Sequence, residues 1–109
     1  NINFFISDLT KYIFPKVDLI ICRDVLTRSS LKNNLFIIKN IKKSKSKYLL
    51  TTFFPSTKKN CDIISGEFAR INLLLNPYNF NKPIFYFKEK DKLNKYMGLW
   101  KVSEIDLIK

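Results

Sequence analysis

Two apolar runs restrict what this chain can fold into. Val17-Asp18-Leu19-Ile20-Ile21-Cys22 and Tyr48-Leu49-Leu50-Thr51-Thr52-Phe53-Phe54 are rich in β-branched and aromatic residues. Both are apolar at successive positions and not at alternate ones. A strand wet on one face alternates, because successive side chains point to opposite sides. A strand apolar on both sides asks for cover on both, as in the parallel sheet of an α/β domain. The first run stops at Arg23-Asp24 and the second at Pro55, which cannot donate to a ladder. Between them, Ser29 or Ser30 can cap a helix over residues 30–42, with Leu31, Leu35 and Ile38 on one face. Lysines at 42, 43, 45 and 47 surround its end, where the helix dipole favours cations. Strand, helix, strand predicts parallel pairing through a right-handed crossover.

Asn3 to Ile6 reads as one more short strand, ended by Ser7-Asp8, and Lys11 to Lys16 as a linker around Pro15. Beyond Pro55 the pattern weakens. Ser56 to Asn60 is polar, and Phe68 to Leu75 is a short helix or irregular. Asn76-Pro77 and Lys82-Pro83 break anything longer. Ile84–Lys88 and Leu99–Ile105 then read as the two strands of an antiparallel hairpin, joined by a charged turn over Lys88–Lys95. A chain of 109 residues is one domain at most. It opens on Asn1 and not on Met, so the expectation is a single partial domain over residues 1–109.

The net charge of +11 raises the question of a polyanionic partner. Asn, Lys, Ile, Phe and Tyr, all with A+T-rich codons, make up more than half of the residues, and seventeen of the twenty basic side chains are Lys. The charge is therefore read as solvated surface lysine, and nucleic acid is not expected as a partner. A salt titration separates the two readings, since phosphate contacts weaken steeply with salt. There is no His, and Cys22 and Cys61 form no C-x-x-C pair, which removes the usual zinc sets and His-based triads and leaves no metal site expected. Two unpaired cysteines suit a reducing, cytoplasmic setting. No apolar run is long enough to span a bilayer, and the first residues lack the pattern of a signal peptide.

Two of the expected strands end on an acid, at Asp8 and at Asp24. Ligands of open parallel sheets bind beyond the carboxyl ends of the strands, which would put both acids on one rim. Each is equally readable as a turn residue. Trp100 and Tyr86 read as hairpin core and Cys61 as an inert thiol. Asn76 to Phe80 is either a lid or a turn.

Val17–Leu26 (VDLIICRDVL) and Lys47–Pro55 (KYLLTTFFP), then Gly66-Glu67-Phe68 with Ile71-Asn72-Leu73, Asn76–Phe80 with Pro83, and Gly98-Leu99-Trp100, together resemble a family of class I S-adenosylmethionine-dependent methyltransferases. The segments keep the family's order over residues 3–105. The resemblance implies an α/β fold of seven strands, the last two an antiparallel hairpin. Residues 3–6 would then be strand three, 17–22 strand four and 47–54 strand five, with the hairpin at 84–88 and 99–104. The chain would be a partial Rossmann-like methyltransferase sheet, with parallel strands and a C-terminal antiparallel hairpin.

By the same resemblance, the cofactor is S-adenosylmethionine. Asp8 would accept from the adenine amino group, Leu9 would lie on the ring, and Cys22 and Arg23 would line the methionine side. Asp24 would position a nucleophile or act as base, with Arg28 and Asn79 on the substrate side. The acceptor is a small molecule or a polypeptide. Arg28 stands near where many relatives carry His, and Arg cannot serve as a base at neutral pH. The family's glycine-rich turn and ribose-binding acid would lie upstream of Asn1, which leaves residues 3–6 without their native neighbours and one edge of strand four open. The competing expectation is a methyltransferase-like module that binds a partner without catalysis.

Overall fold

A computed structural model describes residues 6–64, 66–90 and 93–107. It is a mixed α/β domain with one four-stranded sheet and one helix. The order in sequence is β1 (Leu19–Cys22), α1 (Leu31–Lys43), β2 (Tyr48–Phe53), β3 (Phe85–Lys88) and β4 (Tyr96–Lys101). The order across the sheet is β1-β2-β4-β3. β1 pairs with β2 in parallel, from Leu19 opposite Tyr48 to Cys22 opposite Thr51. β4 is antiparallel to both β2 and β3. The parallel start and the hairpin end expected from the sequence are both present. Of the strand expected over residues 3–6, residues 3–5 lie outside the described ones, and Ile6 is exposed and in no strand.

Ser30 is the cap of α1: its Oγ accepts from the Asn33 amide at 3.2 Å. Asp62 closes the same helix end from a distant loop, its Oδ1 accepting from the Leu31 amide at 2.9 Å, where a carboxylate also suits the helix dipole. At the other end the Lys42 ammonium donates to the Ile105 carbonyl. Ile37, Ile38 and Ile41 of α1 pack against Ile20, Cys22, Leu49, Phe53 and Trp100 of the sheet. Ile71, Leu73, Tyr78 and Phe80 complete that core from the irregular segment between β2 and β3.

That segment is held by asparagines. The Asn72 amide donates to Asn60 Oδ1 at 2.7 Å, Asn60 Nδ2 returns to the Asn72 carbonyl at 2.8 Å, and Asn72 Nδ2 reaches the Thr57 carbonyl at 2.9 Å. A compositional bias toward Asn thus supplies the side-chain amides that satisfy backbone lacking a ladder.

The final strand differs from its expected bounds of 99–105. It begins at Tyr96 and ends at Lys101, opposite Tyr48, the first residue of β2. Past that point no β2 residue remains to pair, and Val102–Glu104 tightens into a 3-10 turn that buries Val102 and Ile105. The cover also differs. α1 and the irregular segment lie on one face, and on the other Leu19, Ile21, Phe85 and Phe87 are exposed. Both faces of the sheet are apolar, as the runs imply; the second is open at the edge strands, while Thr52 and Met97 at its centre are buried.

Candidate functional site

The directions of the strands set which ends meet. The carboxyl ends of β1 and β2, the start of β4 and the end of β3 share one rim. Arg23 and Asp24 leave β1 there, Thr52 lies near the end of β2, Glu89 follows β3 and Lys95 precedes β4. This is the rim at which an open sheet takes a ligand.

Asp24 turns the chain sharply with φ of +57°, a left-handed conformation that Asp adopts more readily than most side chains. Its amide donates to Thr52 Oγ1 at 2.8 Å. Its carboxylate accepts from Lys95 Nζ at 3.0 and 3.2 Å. Arg23 meets Glu89 through two parallel bonds, Nε to Oε1 at 3.0 Å and Nη2 to Oε2 at 2.8 Å. β2 and β4 lie between β1 and β3, so the Arg23–Glu89 pair reaches across the inner strands. The Glu89 carboxylate holds the Arg23 guanidinium yet more firmly in its charged form. The rim thus carries two cation–carboxylate pairs that join the ends of β1, β3 and β4, with Thr52 of β2 holding the Asp24 amide. A partner that needs the Asp24 carboxylate shares it with Lys95 or displaces the ammonium.

The remaining candidates fall elsewhere. Cys22 is buried, with its side chain toward α1, and burial pushes its thiol up to about 11. Its carbonyl accepts from Thr51 Oγ1 at 3.0 Å. Asp8 and Leu9 lie against the second half of α1, where Asn40 Nδ2 donates to the carbonyls of Leu9 at 3.1 Å and Thr10 at 2.8 Å. α1 runs back from the rim, and Asn40 is about 13 Å along its axis from Leu31. The structure therefore does not bring Asp8 and Asp24 together on one rim. Asp8 closes a local turn, its Oδ1 accepting from the Thr10 hydroxyl at 2.7 Å and amide at 3.0 Å, and these bonds hold its pKa below the ordinary carboxylate value.

Arg28 is exposed and lies over the Phe68 ring, 5.1 Å from its centre. Asn79 has φ of +51° in a turn whose amide bonds the Leu75 carbonyl at 3.0 Å. The turn is anchored on both sides of Asn79 by buried Tyr78 and Phe80, and the Tyr78 hydroxyl accepts from Asn34 Nδ2 at 2.9 Å. Trp100 is core, as expected, with its indole N–H on the Asn81 carbonyl at 2.6 Å. Tyr86 is not core: half of it is exposed, on the edge strand β3, whose four residues are all exposed.

Glu89, Lys95 and Thr52 were not legible as rim residues. The two charges read as an ordinary polar turn, and only the register of the hairpin, with Lys88 opposite Tyr96, sets them at the rim. Beside them a cavity of about 300 Å³ opens among Phe53, Tyr86, Tyr96, Leu74, Lys82 and Pro83. A broader surface depression at the opposite sheet end is flanked by Lys16, Lys45, Lys47 and Lys101, all exposed. Among the described residues, no helix is long and apolar enough to cross a membrane.

Comparison with protein-family models, with curated proteins and with solved structures finds no match to this chain.

Proposed function

We propose that this chain is the C-terminal part of a class I S-adenosylmethionine-dependent methyltransferase domain and acts as part of a longer chain. The observation that carries the reading is the rim at the carboxyl ends of β1 and β2. There Asp24 is fixed by Thr52 through its backbone and by Lys95 through its carboxylate, in a strained turn that directs the side chain to the sheet end. The resemblance of residues 17–26 to the family puts the acceptor beside this acid, and the parallel pair followed by an antiparallel hairpin agrees with the strand plan it implies.

Methyl transfer is a direct displacement at an activated methyl, and much of its rate comes from holding the nucleophile in line. Asp24 would orient the acceptor through its carboxylate. It takes a proton only if the nucleophile must lose one. S-adenosylmethionine would supply the methyl group. Arg23 and the main chain at Cys22 lie next to the acid, on the methionine side that the resemblance assigns them. Asp8 and Leu9, held at the far half of α1, stand away from this rim. Arg28 and Asn79 would stand on the acceptor side.

Calorimetry of the complete gene product with S-adenosylmethionine tests the reading, and no heat at high concentration sinks it. The Asp24→Asn variant is expected to keep cofactor binding and lose transfer. The alternative is a binding module without catalysis. It draws on the same rim, where both acids are already engaged by cations. Retained cofactor-free partner binding in Asp24→Asn, with no transfer by the wild type, would favour it.

A further inference from the structure

The cavity beside the rim is walled by three aromatic rings. Tyr96 lies 6.1 Å from Phe53 and 6.0 Å from Tyr86 between ring centres, tilted by 59° and 50°. Leu74 and Pro83 add apolar wall, and Lys82 supplies the one charged side chain among the lining residues. Rings set at such angles present both faces and edges, which suits a flat aromatic guest. An aromatic cage for a cation would place a carboxylate on the wall. Here the wall carries an ammonium, which repels a cation and attracts an anion. The chain's net charge of +11 acts in the same sense at long range. About 300 Å³ is the lower end of small-ligand sites, enough for a single substituted ring.

The cavity also has an address. Phe53 follows Thr52, which holds the Asp24 amide, and Tyr96 follows Lys95, which holds the Asp24 carboxylate. We infer that the Phe53–Tyr86–Tyr96 cavity binds a small aromatic anion, an aryl carboxylate or phenolate, with its ring among the tyrosines and its charge on Lys82. That this guest is the methyl acceptor rests on the function proposed above; its binding does not.

The test is protein-observed NMR of the isotope-labelled chain without cofactor, titrated with benzoate, benzyl alcohol, benzylammonium and cyclohexanecarboxylate. Benzoate is expected to shift Tyr86, Tyr96 and Lys82 saturably and to bind more tightly than the other three. Lys82→Gln should weaken benzoate about two- to fivefold, the range of an exposed ion pair, and leave benzyl alcohol unchanged. Lys82→Arg should restore the preference. Tyr86→Ala, at a half-exposed edge position, should weaken both aryl ligands about tenfold. Equal binding of benzoate and benzylammonium, equal binding of the saturated ring, shifts centred elsewhere, or no saturable shift at millimolar benzoate would each overturn the inference. Because no S-adenosylmethionine is present, failure here leaves the methyltransferase reading standing. Failure of the cofactor calorimetry leaves the cavity result standing.

Discussion

Asp24 and Lys95 are 71 positions apart and belong to strands that are not neighbours, yet their side chains meet at 3.0 Å across the end of β2. The contact joins the parallel half of the sheet to the hairpin. The Asp24 carboxylate side is 40% exposed, so water screens the pair, and its contribution to stability is small, below about 1 kcal/mol. Asp24→Asn and Lys95→Gln should therefore leave the urea midpoint nearly unchanged. Asp24→Val should lower it clearly, because a β-branched side chain at φ of +57° costs about 1–3 kcal/mol of backbone strain. If all three variants unfolded alike, the turn would not be the constraint it is taken to be.

Gly98 is the tightest point of the sheet. A Cβ there would sit 2.6 Å from the Trp100 ring and 2.9 Å from the Phe53 ring, on β4 where Gly98 faces Thr51. Trp100, whose ring is the nearer of the two, has little room to yield, since it packs edge to face on Phe53 at 5.1 Å and is backed by Phe80 at 5.3 Å. Gly98→Ala should destabilise by about 1–3 kcal/mol, the usual cost of overpacking a core. Equilibrium urea denaturation checks this, and an unchanged midpoint would contradict it.

The contrast between what the residues announced and what they concealed follows from range. β1, α1 and β2 were readable because each rests on local signals: an unbroken apolar run, a Ser cap at Ser30, and a proline stop at Pro55. The hairpin was readable as a pair but misplaced at its ends. Its limits are set by β2, a partner dozens of residues away, and Gly98, just before the expected start at Leu99, lies inside β4, where the Trp100 ring fills the space a side chain would need. The core residues Ile71, Leu73, Tyr78 and Phe80 lie in no regular element, so no periodicity marked them. Of the candidate site, Arg23 and Asp24 were legible from the end of a buried strand. Their partners Glu89 and Lys95 were not, because charge in a turn carries no sign of what it will face.

The open edges of the second sheet face have a consequence in solution. Ile21 on edge strand β1 and Phe85 on edge strand β3 are 61% and 57% exposed. Unpaired edges beside apolar surface promote association of strands. Ile21→Lys and Phe85→Lys should each raise the concentration at which the chain stays monomeric in sedimentation velocity, with little loss of stability, since neither side chain is buried. Unaltered self-association in both would show that this face is not the contact.

Cys22 gives the chain a predictable alkaline limit. Burial lifts its thiol from 9.0 to about 11, so in the folded state it keeps its proton where the unfolded chain loses it. A group whose folded value is raised supports the fold below the unfolded value, and that support fades as pH climbs through the folded one. Between pH 9 and 11 the stability should therefore fall, by roughly 2–3 kcal/mol if this thiol acts alone. Burial also raises the Tyr78 hydroxyl, which adds a slope of the same sign, so the comparison must isolate the thiol. Cys22→Ala should be less stable at neutral pH through lost packing, yet its urea midpoint should decline less steeply over this window than that of the wild type. The same burial predicts selectivity: iodoacetamide at pH 8 should alkylate exposed Cys61 readily and buried Cys22 only as the chain unfolds. Parallel midpoint curves for the two proteins, or equal alkylation of both thiols in the folded chain, would show that Cys22 is not sealed beneath α1.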